Sequence, residues 1–228
     1  MYIRQLVTGT FRTVKLTPKL SPLTTTRSIY LHKGPRVAGL KRDPQEALVN
    51  SQGLKYELTD DNIKHIKTYL GDKYSIPDDI VLQVLTHKSF GNGIKPYNEK
   101  LAAMGSKLLS FYLAKHVTKS ANKDSFAING RNLDVLGSPI SRELGGLFTL
   151  GVFAKQQGLN QVMFWTTRNA NLGFESSGEL RISAQMMYAL IGAVNFYHGK
   201  EVAELFIQER LIDQLEKITV DLVSGKAE

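Results

Sequence analysis

Leu85-Thr86-His87-Lys88-Ser89-Phe90 and, eight residues on, Asn98-Glu99-Lys100-Leu101-Ala102-Ala103-Met104-Gly105-Ser106 form the stretch on which the architecture turns. From Asn98 to Val117 the large apolar residues Leu101, Met104, Leu108 and Phe111 recur every three or four positions. That spacing predicts one long helix with those four side chains turned inward. Glu99, Ala102 and Ser106 stand at i, i+3 and i+7, so they share a second face of it.

Working outward, the same helical spacing recurs along the rest of the body. Thr59 or Asp60 can cap a helix carrying Ile63, Ile66 and Leu70, with Gly71 to close it. Pro77 with Asp78 and Asp79 opens another, bearing Ile80, Val81, Val84 and Leu85. A fourth helix is expected from Pro139 through Phe153, with Leu144, Leu147 and Phe148 inward. A fifth runs from about Glu179 to Tyr197, apolar around most of its circumference as a central helix would be. A sixth spans Glu201 to Ile218, burying Val202, Leu205, Phe206, Ile212 and Leu215. Val162 to Thr166 fits either a strand or a packed connector anchored by Trp165. The fold class is therefore all-α.

Composition narrows the chemistry. The 228 residues contain no cysteine, which excludes disulfide scaffolds and Cys-based zinc modules. The longest apolar stretch, Met186 to Val194, is far below the roughly 20 residues of a membrane span. The five histidines, His32, His65, His87, His116 and His198, lack zinc-ligand spacing. No Gly-x4-Gly-Lys phosphate loop and no nucleophile-elbow serine occur. The net charge of +8 is lopsided: residues 1–42 carry nine basic residues and no acid, while the remainder holds 20 basic and 21 acidic residues.

That acid-free segment, rich in hydroxyl residues, has the composition of a mitochondrial transit peptide. Residues 1–29 are expected to be the presequence, with Arg27-Ser28-Ile29-Tyr30 as an arginine-guided cleavage region. Residues 30–53 then form a basic arm and linker. Its Lys33, Arg36, Lys41 and Arg42 are candidate contacts to nucleic-acid phosphates, because flexible cations neutralise backbone charge without reading sequence. Residues 54–218 form the folded domain and 219–228 a tail.

The two stretches quoted first resemble the opening signature of the ribonuclease III family, and Ala184-Gln185-Met186-Met187-Tyr188-Ala189-Leu190-Ile191-Gly192-Ala193-Val194 resembles its second. Ile140-Ser141-Arg142-Glu143-Leu144 and Gly158-Leu159 are similar to the segments between, so the likeness runs from about Leu54 to Leu215. It implies the ribonuclease III-like endonuclease-domain helical fold, here expected without a double-stranded-RNA-binding domain. It also implies carboxylates at the positions of Glu99, Ala102, Ser106, Gln185 and Tyr188, where the family holds Mg²⁺ against a phosphodiester.

Only Glu99 is acidic in this chain, and it also reads as a first-turn helix acid. His87 and Ser89 read as helix-end and packing residues, and Gly192 with Ala193 as a point of close helix approach. The expectation is a catalytically empty centre with no cofactor and no bound metal. Family members pair through a face including the first signature helix, which makes Ala103, Met104 and Lys107 the candidate pairing face, although Ala103 lacks the bulk of the usual plug. The combination resembles the ribonuclease III-like proteins of the fungal mitochondrial large ribosomal subunit. It implies a structural protein of the matrix that touches rRNA and a second ribonuclease III-like subunit. An active RNA endonuclease using Glu175, Glu179 or Asp124, and a free protein-interaction module of the matrix, are the alternatives.

Overall fold

The computed structural model describes residues 48–50, 52–119, 127–167 and 171–225, the side chain of Asn92 excepted. The presequence, the basic arm with Lys33, Arg36, Lys41 and Arg42, and Asp124 all lie outside the described residues. Among those described there are eight α-helices and no strand longer than an isolated bridge. They are α1 (Asp60–Leu70), α2 (Asp78–Val84), α3 (Glu99–Val117), α4 (Pro139–Glu143), α5 (Leu147–Gln156), α6 (Glu179–His198), α7 (Lys200–Arg210) and α8 (Ile212–Val223). No described helix is long and apolar enough to cross a membrane.

α6 is the axis of the fold. Met186, Met187, Ala189, Leu190, Ile191, Ala193 and Val194 are fully buried, and α3, α5 and α7 pack around them. Removing each larger aliphatic side chain from water contributes about 1.5–3 kcal/mol, so this one helix supplies much of the hydrophobic drive. Gly71 ends α1 with φ +65°, its N–H bonding the Lys67 carbonyl at 2.9 Å, as the sequence led one to expect. Thr59 occupies the N-cap, but its side chain makes no capping bond.

Three helical expectations are corrected. α3 buries Ala102, Gly105, Leu109 and Leu113, not the stripe of Leu101, Met104, Leu108 and Phe111. Leu101 and Leu108 are half-covered, and Phe111 is 51% exposed. The small residues face inward because α6 crosses too closely for large ones. The single helix expected from Pro139 breaks at Gly145-Gly146 into α4 and α5, where Gly146 is extended (φ −71°, ψ 162°). This leaves Leu147 43% exposed, while Leu144 and Phe153 are buried. The helix expected from Glu201 breaks at Leu211 (φ −114°, ψ −48°), a fully buried residue, and Leu205 faces solvent.

The folded region is also longer than 54–218. Residues 48–56 fold back through a Val49–Lys55 bridge, and Asn50 is buried, its amide donating to the Met163 carbonyl at 3.2 Å. At the other end α8 continues to Val223 with Thr219 fully buried. Residues 162–166 form a packed connector rather than a strand. Phe164, not Trp165, anchors it: the ring is fully buried against Tyr56, its N–H bonds Leu85 O at 2.9 Å, and its carbonyl accepts from His87 N at 2.8 Å.

Candidate functional site

α3 and α6 run side by side in the same direction. Gln185 Nε2 donates to Asn98 Oδ1 at 3.1 Å near their starts, and the Lys200 ammonium just past α6 sits 4.9 Å from the Phe111 ring centroid near the far end. Between these points Gly105 and Gly192 bring the two backbones into contact. A Cβ on Gly105 would run into Tyr188 O and come 2.7 Å from Gly192 N. A Cβ on Gly192 would run into Leu101 O. Close approach at Gly192 was legible in the sequence; its partner Gly105 was not.

This crossing sets the five positions for which the resemblance expects carboxylates on neighbouring faces. Glu99 is exposed and ion-paired, Lys88 Nζ lying 2.7 Å from its Oε1. That ammonium holds the Glu99 carboxyl below the usual range. Ala102 is buried at 7% exposure and offers only a methyl group. Ser106 turns its hydroxyl back to the Ala103 carbonyl at 3.0 Å. Gln185 spends its amide on Asn98, and Tyr188 donates its hydroxyl to Gly145 O at 2.6 Å. Burial pushes the Tyr188 phenol up, so it stays a neutral donor at physiological pH.

Two residues outside the expected set belong to this site. Asn98 is 1% exposed and links three elements: its amide donates to Val84 O at 2.9 Å, its N–H to Thr86 O at 2.9 Å, and its oxygen accepts from Gln185. Asn98 occupies the N-cap position of α3, but its side chain makes no capping bond there. Arg181, four residues before Gln185 on the same face of α6, is exposed and close enough to influence both His87 and Lys88. The signal for it was that i, i+4 spacing.

A hard divalent cation needs several anionic oxygens that are free to turn toward it. Here one carboxylate is already held by a lysine, with an alkyl, a hydroxyl, an amide and a phenol at the other positions. Among the described residues no three His, Asp or Glu side chains converge. This donor set does not fit the Mg²⁺ ion the fold family implies. Glu179 and Glu175, the described acids of the endonuclease alternative, do not mend it. Glu179 accepts from Asn160 at 2.8 Å and stands about 9 Å along the α6 axis from Gln185, and Glu175 is exposed on the preceding loop. On the outer side of α3, Ala103 and Lys107 are exposed and Met104 is half-buried.

His87 accepts the Ser89 N–H at its Nδ1 at 3.2 Å, with Ser89 Oγ 2.9 Å from the same atom. Burial, then the Lys88 charge, holds its imidazole below the ordinary value, and burial does the same to His65. Both rings therefore take up a proton more readily in the unfolded chain, whose histidines titrate near 6.5. Stability should be flat above about pH 7.5 and fall as pH drops through the unfolded value toward the folded ones. A thermal-unfolding series from pH 7.5 to 5.5 checks this, and His65→Gln with His87→Gln should flatten the curve.

A family model described as ribonuclease-III-like matches residues 77–215. The chain is similar to the large ribosomal subunit protein mL57 of Neurospora crassa, 26% identical over 199 residues that cover 80% of this chain and 72% of that protein. It is also similar to a ribonuclease 3 of Bdellovibrio bacteriovorus, 23% identical over 165 residues that cover 71% of this chain and 65% of that one.

Proposed function

The chain belongs to the ribonuclease III-like family, and from that premise we propose that it is a structural protein of the mitochondrial large ribosomal subunit, with a nuclease centre that no longer holds metal. One observation carries the reading: at the α3–α6 crossing the sole carboxylate of the five family positions is neutralised by Lys88. The other four side chains are neutral, three of them hydrogen-bonded within the fold. Such a protein keeps the family's shape and surface without its chemistry. Likeness to the Neurospora crassa ribosomal protein over most of both chains supports the assembly.

Residues 1–29 would direct the chain to the mitochondrial matrix. In the particle, Lys33, Arg36, Lys41 and Arg42 would lie along rRNA phosphates, reading shape and charge rather than bases. A second ribonuclease III-like subunit would cover the outer side of α3 around Ala103, Met104 and Lys107. The partly covered apolar residues Leu101, Met104 and Leu108 favour such a cover, since a helix with large apolar residues on two faces needs two partners.

In a gradient of mitochondrial lysate, the chain should migrate with the large ribosomal subunit and stay there at moderate salt. Migration only at the top of the gradient would sink the assignment and favour a free matrix module.

A further inference from the structure

The fold leaves an aromatic surface open where α6 ends beside the C-terminal third of α3. Phe196 is 67% exposed, Phe111 51% and Tyr197 42%, and the Tyr197 ring packs edge-on against Phe196 at 5.3 Å. The parallel register of the two helices, fixed by the Gln185–Asn98 bond and the glycine crossing, brings Phe196 level with Leu109, half a turn from Phe111. Phe196 lies one turn beyond Gly192 on α6 and four residues before Lys200, whose ammonium meets the Phe111 ring.

Cations frame these rings. Lys115 and Lys200 place ammonium groups 5.5 and 4.9 Å from the Phe111 centroid. Glu204 steers both, at 2.9 Å from Lys115 and 3.8 Å from Lys200, and its own side chain is only 20% exposed. Helical i, i+4 spacing sets Phe111 and Lys115 in one row along α3. The acid is thus tucked beneath the lysines while rings and ammonium groups face solvent.

Lysine is depleted at the centres of protein–protein interfaces. Unpaired nucleic acid needs this mixture: ring faces on which bases stack, with cations between them for the phosphates. We propose that this surface binds single-stranded RNA, bases stacking on Phe196 and Phe111 while Lys115 and Lys200 leave the ring for the flanking phosphates. The inference rests on the ribosomal reading only for the source of the RNA, an unpaired segment of rRNA. It differs from the basic arm in recognising splayed bases rather than duplex shape.

The test is the binding of a short fluorescein-labelled single-stranded RNA to the full chain, followed by anisotropy, with a blunt RNA duplex as comparator. Phe111→Leu combined with Phe196→Leu should weaken single-strand binding about tenfold and leave the duplex unaffected. Phe111→Tyr with Phe196→Tyr should retain it. Lys115→Gln with Lys200→Gln should flatten the logarithmic salt dependence by about 1.4, near 0.7 for each phosphate that is no longer neutralised. Equal binding by the leucine variant, or no single-strand binding by the unaltered chain, overturns the proposal. So does a leucine variant that keeps RNA but loses a protein subunit from the particle, which would make the surface a protein interface. Ribosomal migration of the unaltered chain is read separately. Its failure with aromatic-dependent RNA binding intact counts against the ribosomal assignment alone, and its success with an unaffected leucine variant counts against this inference alone.

Discussion

Gly192→Ala should lower the melting temperature by about 10 °C, among the largest losses expected from adding one methyl group to this protein. The added Cβ meets the Leu101 carbonyl oxygen directly and lies 2.9 Å from Leu101 C and 3.1 Å from Gly105 N. All of these are backbone atoms of α3, so no rotamer change relieves the clash. The helices must separate, and separation opens gaps along Ala102, Leu109, Ala189 and Ala193, which pack at interior density. Overpacking a close-packed site costs about 1–3 kcal/mol, more where the backbone must move. In a folded unit of this size each kcal/mol shifts the midpoint by about 2–4 °C. Gly105→Ala should do similar damage, because its Cβ would strike Tyr188 O. Gly137→Ala is the control: nothing lies within 4 Å of its Cβ, and its melting curve should barely move. If circular dichroism gave Gly192→Ala and Gly137→Ala the same midpoint, the close crossing would be wrong, and with it the placement of the five family positions.

The same crossing explains where the sequence was legible and where it was not. α1, α2 and α6 could be placed because Pro77, Gly71 and apolar spacing all agreed. The length of α3 was equally plain, yet its buried face was not. Periodicity favours large side chains, and Leu101, Met104, Leu108 and Phe111 outweigh Ala102 and Gly105. What decides the face is the distance to α6, a tertiary quantity carried by two glycines 87 positions apart. The break between α4 and α5 did leave a sign, the Gly145-Gly146 pair. The break at Leu211 left none, since a buried leucine between two helices looks like any other core residue. In the candidate site the resemblance supplied five positions, and the sequence shows a single acid, Glu99, among them. The bonds of Asn98 to Val84, Thr86 and Gln185 could not, because they join segments that no local pattern connects.

Magnesium should leave the unaltered chain's melting temperature unchanged and elicit no cleavage of duplex RNA, whereas Ala102→Glu, Ser106→Asp, Gln185→Asp and Tyr188→Glu together should create a Mg²⁺-responsive fold. The substituted positions lie on neighbouring faces of α3 and α6, so four new carboxylates would converge beside Glu99. Without an ion their repulsion, with the lost Tyr188–Gly145 and Gln185–Asn98 bonds, should lower stability. An ion that binds only the folded form restores about 2.7 kcal/mol at one hundred times its dissociation constant, a readily measured rise in melting temperature. Lys88 remains an obstacle, since its ammonium already claims Glu99 at 2.7 Å. Adding Lys88→Met should therefore strengthen the Mg²⁺ response further. No subset of the four should suffice, because hard-ion affinity grows with the number of anionic oxygens that reach the ion together. Mg²⁺-dependent cleavage by a nuclease-free preparation of the unaltered chain, or a Mg²⁺-induced rise in its melting temperature, would mean that ligands outside these five positions complete a working centre, and the structural role would have to be abandoned.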